Sequence, residues 1–254
     1  MTRSHDAIVT TQFGPRAADY VQSAVHATGE DLDALDAIVR RQAPAHALDL
    51  GSGGGHVAYR LAAHAAQVTA SDLSGEMMVA VATTSLEKGL ANIATCVAPA
   101  ESLPFEDASF DFLGCRFSAH HWRDFHAGLR EARRVLARGS TAVFVDAVSP
   151  GRASLDTHLQ AVELLRDTSH VRDYSASEWA SALTEAGFTV HATRTWRLRM
   201  DFATWIARMR TPEVNSSAIR ALQDTASDVV RTHFDIEPDG SFMLDTLMME
   251  AVAA

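Results

Sequence analysis

The stretch "ALDLGSGGGHVAY", residues 47–59, joins a short apolar segment to a glycine-rich turn and then to a helical segment. Backbone N–H groups at the start of such a helix are free, and glycines let the polar parts of a nucleotide cofactor approach them closely. The dinucleotide pattern Gly-x-Gly-x-x-Gly/Ala fails from Gly51, where the sixth position is His56, but fits from Gly53 to Ala58. One match leaves three interpretations open: a dinucleotide site, a site for another nucleotide cofactor, or a flexible turn.

Two carboxylates near the glycines narrow this choice. Asp49 lies two residues before Gly51, where a dinucleotide-binding strand usually ends on an apolar residue. Asp72 ends the next predicted strand, from which it can accept hydrogen bonds from both hydroxyls of a ribose. The pair therefore favours a ligand with a ribose and an amine-bearing head over a pyrophosphate.

Short strand-like segments alternate with helical ones, which predicts parallel βαβ units in a doubly wound sheet. The predicted fold class is α/β, Rossmann-like, with a seven-stranded, mostly parallel sheet and helices on both faces. The predicted strands are 46–50, 67–72, 92–98, 109–117, 140–148, 188–200 and 241–253. The predicted helices are 16–43, 56–64, 74–88, 124–137 (closed by Arg138 and Gly139), 153–167, 175–187 and, interrupted at Thr211–Pro212, 202–233.

The same pattern predicts one domain over residues 1–254 with three parts. Residues 1–43 form a helical lid, 44–150 the cofactor-binding core, and 151–254 an acceptor-side half. The helical piece of about 202–233 is inserted between the last two strands, where it can cap a pocket.

Composition excludes several classes of partner. The formal net charge of −10 disfavours nucleic acid and anionic membrane surfaces, since both are bound mainly through Lys and Arg. No apolar run reaches the roughly 18 residues of a membrane span, and the N-terminus lacks the apolar core of a signal peptide, so we expect a cytoplasmic protein. Two cysteines, Cys96 and Cys115, both in predicted strands, are expected to be buried thiols. The oligomeric state is not indicated.

Four motifs in order, "LDLGSGGGH", "VTASDLSGEMM", "APAESLPFEDASFDFLGCRFSAHHW" and "REARRVLARGSTAVFVDAVSP", extend this pattern over about residues 13–150. Together they resemble the class I S-adenosylmethionine-dependent methyltransferases, in the branch of the ubiquinone and menaquinone biosynthesis C-methyltransferases. Residues 150–254 resemble a small bacterial subgroup of uncharacterised methyltransferases. The resemblance implies S-adenosylmethionine as the cofactor and a small-molecule methyl acceptor.

The resemblance also assigns residues to the parts of that cofactor. Asp49, Gly51, Ser52 and Gly53 would contact the methionine part, and Asp72 the ribose. The adenine would be contacted by Leu73, Met77, Ala100 and Glu101. Arg116 and Phe117 would lie near the sulfonium end, and Tyr20 would close over the carboxylate.

The acceptor chemistry is expected at "SAHHW", just after the fourth predicted strand. Methyl transfer requires alignment of a nucleophile and, where that nucleophile is protonated, a base; imidazole has a suitable pKa near neutral pH. His120 and His121 are the candidates, and because adjacent side chains point apart we expect only one, preferably His120, to face the site. Acceptor binding is predicted for His170, Arg172 and Arg208; no metal is expected, because the histidines lack the spacing of a helical zinc site.

Three other functions remain open at this stage. The fold can bind S-adenosylmethionine and catalyse a cyclisation or decarboxylation instead of methylation. The Gly53 match supports an NAD-dependent oxidoreductase, although Asp49 counts against it. A non-enzymatic binding module is the third alternative.

Overall fold

One sheet organises the computed structural model, which describes residues 4–17 and 27–254. Its strands are β1 (His46–Leu50), β2 (Gln67–Asp72), β3 (Ile93–Val97), β4 (Phe110–Arg116), β5 (Leu136–Ala147), β6 (Phe188–Met200) and β7 (Phe242–Ala253). They lie in the order β3-β2-β1-β4-β5-β7-β6. Neighbours from β3 to β5 are parallel, whereas β7 is antiparallel to both β5 and β6. The chain direction across the sheet reverses beside β1, which is where ligands of such sheets bind.

Helices follow the strands on both faces. They are α1 (His5–Phe13), α2 (Glu30–Gln42), α3 (His56–Ala62), α4 (Gly75–Glu87), α5 (Phe125–Val135), α6 (Ala153–Arg166), α7 (Ala176–Glu185), α8 (Phe202–Met209), α9 (Glu213–Asp224) and α10 (Asp228–Phe234). Side-chain caps begin several of them: Ser74 accepts from the N–H of Met77 at α4, and Ser175 and Glu178 form a reciprocal capping box at α7. A 3₁₀ turn, Ala119–His121, links β4 to α5.

Two apolar layers cover the sheet, because alternate strand residues face opposite sides. Leu48 and Leu50 pack with α5 and α7, whereas Ala47 packs with α2, α3 and α4. A third cluster joins α6, α8, α9 and α10 to the start of β7 and includes Ala147 at the end of β5. The helices between β6 and β7 therefore lie beside the carboxyl ends of the parallel strands.

The predicted fold class is confirmed, and β1, β2 and β6 have the predicted bounds. The predicted end of the helix at 124–137 is wrong: the helix that forms there, α5, ends at Val135, and β5 already begins at Leu136. Gly139, with φ +82°, lies within β5, and the pairing with β4 shifts register there. A glycine that resembles a helix stop therefore marks an irregularity of the strand. Residues 18–26 of the predicted lid lie outside the described residues, and the division into lid, core and acceptor half stays a prediction.

Within the described residues, no helix has the length and apolar character that crossing a bilayer requires.

The close contact of α5 with Trp122 supports the turn that carries the two histidines. A Cβ atom built on Gly128 would lie 2.3 Å from Cε3 of Trp122. We expect Gly128→Ala to lower the free energy of unfolding by about 1–3 kcal/mol, because the clash outweighs the better helix propensity of alanine. Urea denaturation measures this free energy of unfolding. The control is Gly75→Ala in α4, where the nearest atom lies 4.0 Å away; equal stability of both variants would contradict tight packing at Trp122.

Candidate active site

A cleft opens at the carboxyl edge of the parallel strands. The space inside it, with its open mouth and the adjoining solvent included, is about 1580 Å³. The segments that follow β1, β2, β3 and β4 line it on one side, and residues of α1, α6, α8 and β7 line it on the other. The glycine loop and the 3₁₀ turn with the two histidines therefore line one cleft.

Asp49 holds the glycine loop from inside the sheet. Its Oδ2 accepts hydrogen bonds from Oγ of Ser52 (2.6 Å) and from the N–H of Ala58 (2.9 Å). Oδ1 is buried and has no hydrogen-bond partner among residues 4–17 and 27–254. Burial raises the pKa of Asp49 to about 7, although the two hydrogen bonds oppose that rise. A ligand ammonium group is the kind of partner that would satisfy Oδ1 and return this carboxyl to its ionised form.

Asp72 holds the same loop from β2. Its Oδ2 accepts from the N–H of Gly53 at 2.9 Å, and its Oδ1 accepts from the N–H of Ser74 at 2.8 Å. Burial raises the pKa of Asp72. The carboxylate, which also lines the cleft, retains lone pairs for further donors such as ribose hydroxyls.

Two glycines form a cradle between these carboxylates. Gly53 has φ +51°, and a Cβ built on it meets no atom within 4 Å, so its backbone faces open space. Gly51 has φ +70°, and a Cβ there would lie 1.8 Å from Oγ of Ser118. The cradle, the partnerless Oδ1 of Asp49 and the free lone pairs of Asp72 together fit the methionine and ribose of S-adenosylmethionine.

The predicted adenine contacts surround the next part of the cleft. Leu73, Met77, Ala100 and Glu101 all line it. Met77 is also part of an apolar core layer. Glu101 has a structural bond as well, since its Oε1 accepts from the N–H of Asp124 at 3.1 Å. Tyr20 lies outside the described residues.

Arg116 and Phe117 line the cleft after β4. The guanidinium of Arg116 donates twice to the carboxylate of Asp31 in α2, at 2.5 and 3.3 Å, and lies 4.6 Å from the ring centroid of Phe117. Phe117 has φ +50°, an unusual conformation for a residue with a side chain. The ion pair therefore fixes the turn that leads from β4 to the two histidines.

His120 and Asp146 form the closest charged pair at the far end of the cleft. Nδ1 of His120 lies 2.5 Å from Oδ1 of Asp146, and the backbone N–H of His120 donates to Oδ2 at 3.3 Å. Burial lowers the pKa of His120, but the charge and hydrogen bond of Asp146, with the charges of Asp173 and Glu163, raise it to about 9. Since Nδ1 bonds Asp146, Nε2 is the nitrogen available to a ligand.

His121 also lines the cleft, so the expectation that only one histidine faces it is wrong. The two residues lie in a 3₁₀ turn rather than a strand, and their ring centroids are 4.1 Å apart. Nδ1 of His121 lies 3.2 Å from the carbonyl oxygen of Ser169. Burial and the charge of His120 lower the pKa of His121 to about 4, so its ring is neutral at physiological pH.

The three predicted acceptor residues occupy different places. Arg208 lines the cleft, whereas His170 and Arg172 are not among the lining residues. His170 is buried against Gln160, with Nε2 3.0 Å from Oε1, and its ring centroid is 5.9 Å from that of His120. Arg172 pairs with Asp156 and Glu178. The roles of all three stay predictions.

Sequence reasoning missed five charged groups beside the histidines. They are Asp146, Glu163, Arg166, Asp167 and Asp173. Asp146 is the residue before the last of β5, in "AVFVDAV", so the rule that sites lie at the carboxyl ends of parallel strands would have found it. The α6 residues, in "ELLRD", look like an ordinary solvated helix face. In residues 4–17 and 27–254, no three His, Cys, Asp or Glu side chains are grouped as a metal site requires.

The chain is similar in sequence to known methyltransferases. A methyltransferase domain family matches residues 48–144. The uncharacterised protein YafE of Escherichia coli is 44% identical over 197 residues, which are 78% of this chain and 95% of YafE. The uncharacterised methyltransferase YcgJ of Bacillus subtilis is 32% identical over 247 residues, or 95% of this chain and 98% of YcgJ. The chain belongs to the class I S-adenosylmethionine-dependent methyltransferases.

Structure agrees with sequence in this assignment. The crystal structure of YcgJ matches this methyltransferase with a TM-score of 0.84 at 31% identity, over 87% of this chain and 97% of YcgJ. The ubiquinone/menaquinone biosynthesis C-methyltransferase UbiE of Rickettsia felis is 37% identical over 106 residues, which are 38% of this chain and 43% of UbiE. The resemblance stated from the motifs is therefore confirmed, and the protein is a methyltransferase.

Protonation of Asp49 should control cofactor affinity. The pKa of about 7 means that this carboxyl gains a proton as the pH falls below 7 and then no longer attracts an ammonium group. We expect the affinity for S-adenosylhomocysteine to fall about five- to tenfold from pH 7.5 to pH 6. Titration calorimetry measures it. Asp49→Asn, which keeps an oxygen for Ser52 and Ala58, should bind weakly at both pH values; a pH dependence equal to that of wild type would contradict this role.

Asp72→Ala should weaken S-adenosylhomocysteine binding at least about tenfold, because it removes a ribose acceptor and the hydrogen bond that fixes Gly53. Calorimetry at pH 7.5 measures the affinity, and circular dichroism checks the fold. Asp107→Ala, at an exposed position outside the cleft, is the control. Unchanged affinity in Asp72→Ala would contradict the assignment of the ribose.

Proposed function

We propose that this methyltransferase binds S-adenosylmethionine over its glycine loop and methylates a small molecule by in-line displacement. One observation carries the proposal: the loop held by Asp49 and Asp72 and the His120–Asp146 pair line, or directly adjoin, the same cleft. The cofactor supplies an electrophilic methyl group on a sulfonium. The chain supplies alignment of the acceptor and a place for its proton.

The cofactor end follows from the loop geometry. Asp49 Oδ1 would take the ammonium of the methionine part, and Gly53 would let that part approach the backbone. Asp72 would accept from the ribose hydroxyls, and Leu73, Met77 and Ala100 would enclose the adenine. Arg116 and Phe117 would lie toward the sulfonium end.

Proton removal is assigned to His120. Asp146 holds Nδ1, so Nε2 accepts the proton of the attacking O–H, N–H or C–H group while the carbon–sulfur bond to the methyl group breaks and the new bond forms. The Asp146 carboxylate stabilises the imidazolium that results. His121, whose pKa is about 4, is a weaker base and would orient the acceptor instead.

A small acceptor fits the walls of the cleft. Residues of α1, α6 and α8 line its acceptor side, and His5 of α1 bonds the carbonyl oxygen of His121 at 2.8 Å. The net charge of −10 favours neither nucleic acid nor an anionic membrane as substrate. A cytoplasmic enzyme acting on a dissolved small molecule agrees with these features.

The test is an acceptor screen. The protein is incubated with S-adenosylmethionine and a panel of small phenols, enols, carboxylic acids and amines, and mass spectrometry detects S-adenosylhomocysteine and the methylated product. Cofactor binding without S-adenosylhomocysteine from any acceptor would contradict methyl transfer and favour a non-methylating use of the fold.

The pH dependence of kcat/KM for an accepted substrate should follow the titration of His120. Because its pKa is about 9, the neutral ring that accepts a proton becomes more abundant as the pH rises. We expect kcat/KM to increase about tenfold per unit between pH 7 and 8.5, to reach half of its maximum near pH 9 and to level off above it. Loss of the Asp146 carboxylate should move the midpoint of this rise toward the ordinary pKa of histidine, about 6.5.

The matching variants are His120→Gln, His121→Gln and Asp146→Asn, assayed at pH 8.5. His120→Gln should lower kcat about 100-fold or more with unchanged S-adenosylhomocysteine affinity. His121→Gln should affect mainly the KM of the acceptor. A His120→Gln variant with wild-type kcat would contradict proton removal by His120.

A further inference from the structure

The carboxylate of Asp173 is buried at the acceptor end without a complete set of partners. The residue is 1% exposed and lines the cleft, and within the part of the chain that the structure describes its Oδ2 has no hydrogen-bond partner. Nε2 of His170 lies 3.9 Å from Oδ2. Burial lowers the pKa of His170 to about 2, so this ring carries no charge. A buried carboxylate in such surroundings is costly, which makes its presence informative.

Glu163 adds a second carboxylate to the same wall. It is 7% exposed and lines the cleft. Its Oε2 lies 3.5 Å from Arg166, whose guanidinium also donates to the carbonyl oxygen of Trp205 and lies 4.9 Å from the centroid of that ring. Burial raises the pKa of both Glu163 and Asp173, and their charges repel each other. The positive charges of Arg166 and His120 oppose this rise in part.

Asp173 is held firmly in this position. Gln160 bonds its backbone twice: Nε2 donates to the carbonyl oxygen at 2.8 Å, and Oε1 accepts from the N–H at 3.1 Å. The N–H groups of Val171 and Arg172 donate to the carbonyl oxygen of His120 at 2.8 and 3.2 Å. These bonds fix the backbone of the loop against the histidine turn, where the side chain of Asp173 is buried.

The two neighbouring histidines offset only part of this negative charge. His120 is already paired with Asp146, and Asp167 accepts from Ser169 and lies 4.0 Å from His121, which is neutral at physiological pH. The adjoining wall is apolar, with Leu198, Met200 and Leu244. A ligand with an apolar body and a positively charged nitrogen would match both surfaces.

We propose that Asp173 and Glu163 form a cation subsite that binds a protonated amine of the methyl acceptor. This inference rests on the proposed function, because it names the chemical class of the acceptor for the same cleft. The amine donates to Asp173 and Glu163 beside His120, and its apolar body lies along the β6 and β7 side of the cleft. Two alternatives compete with this subsite. In the first, Asp173 is protonated and binds a neutral acceptor; in the second, the negative charge of the two carboxylates stabilises the sulfonium of the cofactor.

The experiment uses the full chain saturated with S-adenosylhomocysteine at pH 7.5. Titration calorimetry compares three probes of similar shape: 2-phenylethylamine, 2-phenylethanol and phenylacetate. We expect the amine to bind at least about tenfold more tightly than either other probe. Asp173→Asn and Glu163→Gln should each remove most of that preference and leave the affinity for 2-phenylethanol within about twofold. Asp107→Asn, outside the cleft, is the matched control.

Folding and cofactor binding separate these possibilities. Asp173→Asn should unfold at the same temperature as wild type or a few degrees higher, because it removes a buried charge; a lower unfolding temperature would overturn the premise. Equal or tighter binding of the alcohol or the carboxylate, or no binding of the amine at about 10 mM, would overturn the amine subsite. So would an Asp173→Asn variant that loses affinity for S-adenosylmethionine but not for the amine.

The two proposals can fail separately. Binding of the amine through Asp173 without methylation of any acceptor would contradict methyl transfer and leave the subsite in place. Methylation of neutral or anionic acceptors with no preference for amines would contradict the subsite and leave the proposed function in place.

Discussion

The buried carboxylate of Asp49 connects the sheet to the cofactor site. Its Oδ2 holds the glycine loop through Ser52 and the start of α3 through Ala58. Both bonds require the loop to bend tightly over the end of β1, which is why Gly51 and Gly53 have positive φ angles. The bonds offset only part of the cost of burial, so the pKa remains near 7 and Oδ1 remains without a partner.

Other carboxylates at the carboxyl edge of the parallel strands also hold a loop in place. Asp72 at the end of β2 holds Gly53, and Asp146 at the end of β5 holds His120. Since β4 lies between β1 and β5, the Asp49 and Asp146 strands are about 10 Å apart. The sheet itself therefore sets the spacing between the glycine loop and the His120–Asp146 pair.

Features with a local signature could be predicted from the sequence. The alternation of strands and helices, the glycines of the loop and the carboxylates at Asp49 and Asp72 are visible within short windows. The helix end predicted at Gly139 was wrong because glycine is found both where helices end and where strands are interrupted. The side-by-side placement of His120 and His121 depends on a 3₁₀ turn, and the contact of Asp173 with the cleft depends on a distant loop; neither has a local pattern.

The two ends of the cleft share an energetic feature. Asp49 Oδ1 and Asp173 Oδ2 are both buried and belong to residues of the cleft wall, and neither has a hydrogen-bond partner among the described residues. In a protein selected only for stability, such groups would be paired or replaced by apolar residues of similar volume. Buried polar groups left without partners are a common cost of sites shaped for ligands. A ligand that supplies a positive charge at either end therefore removes a penalty as well as adding a contact, and the folded state is stabilised most when both ends are filled.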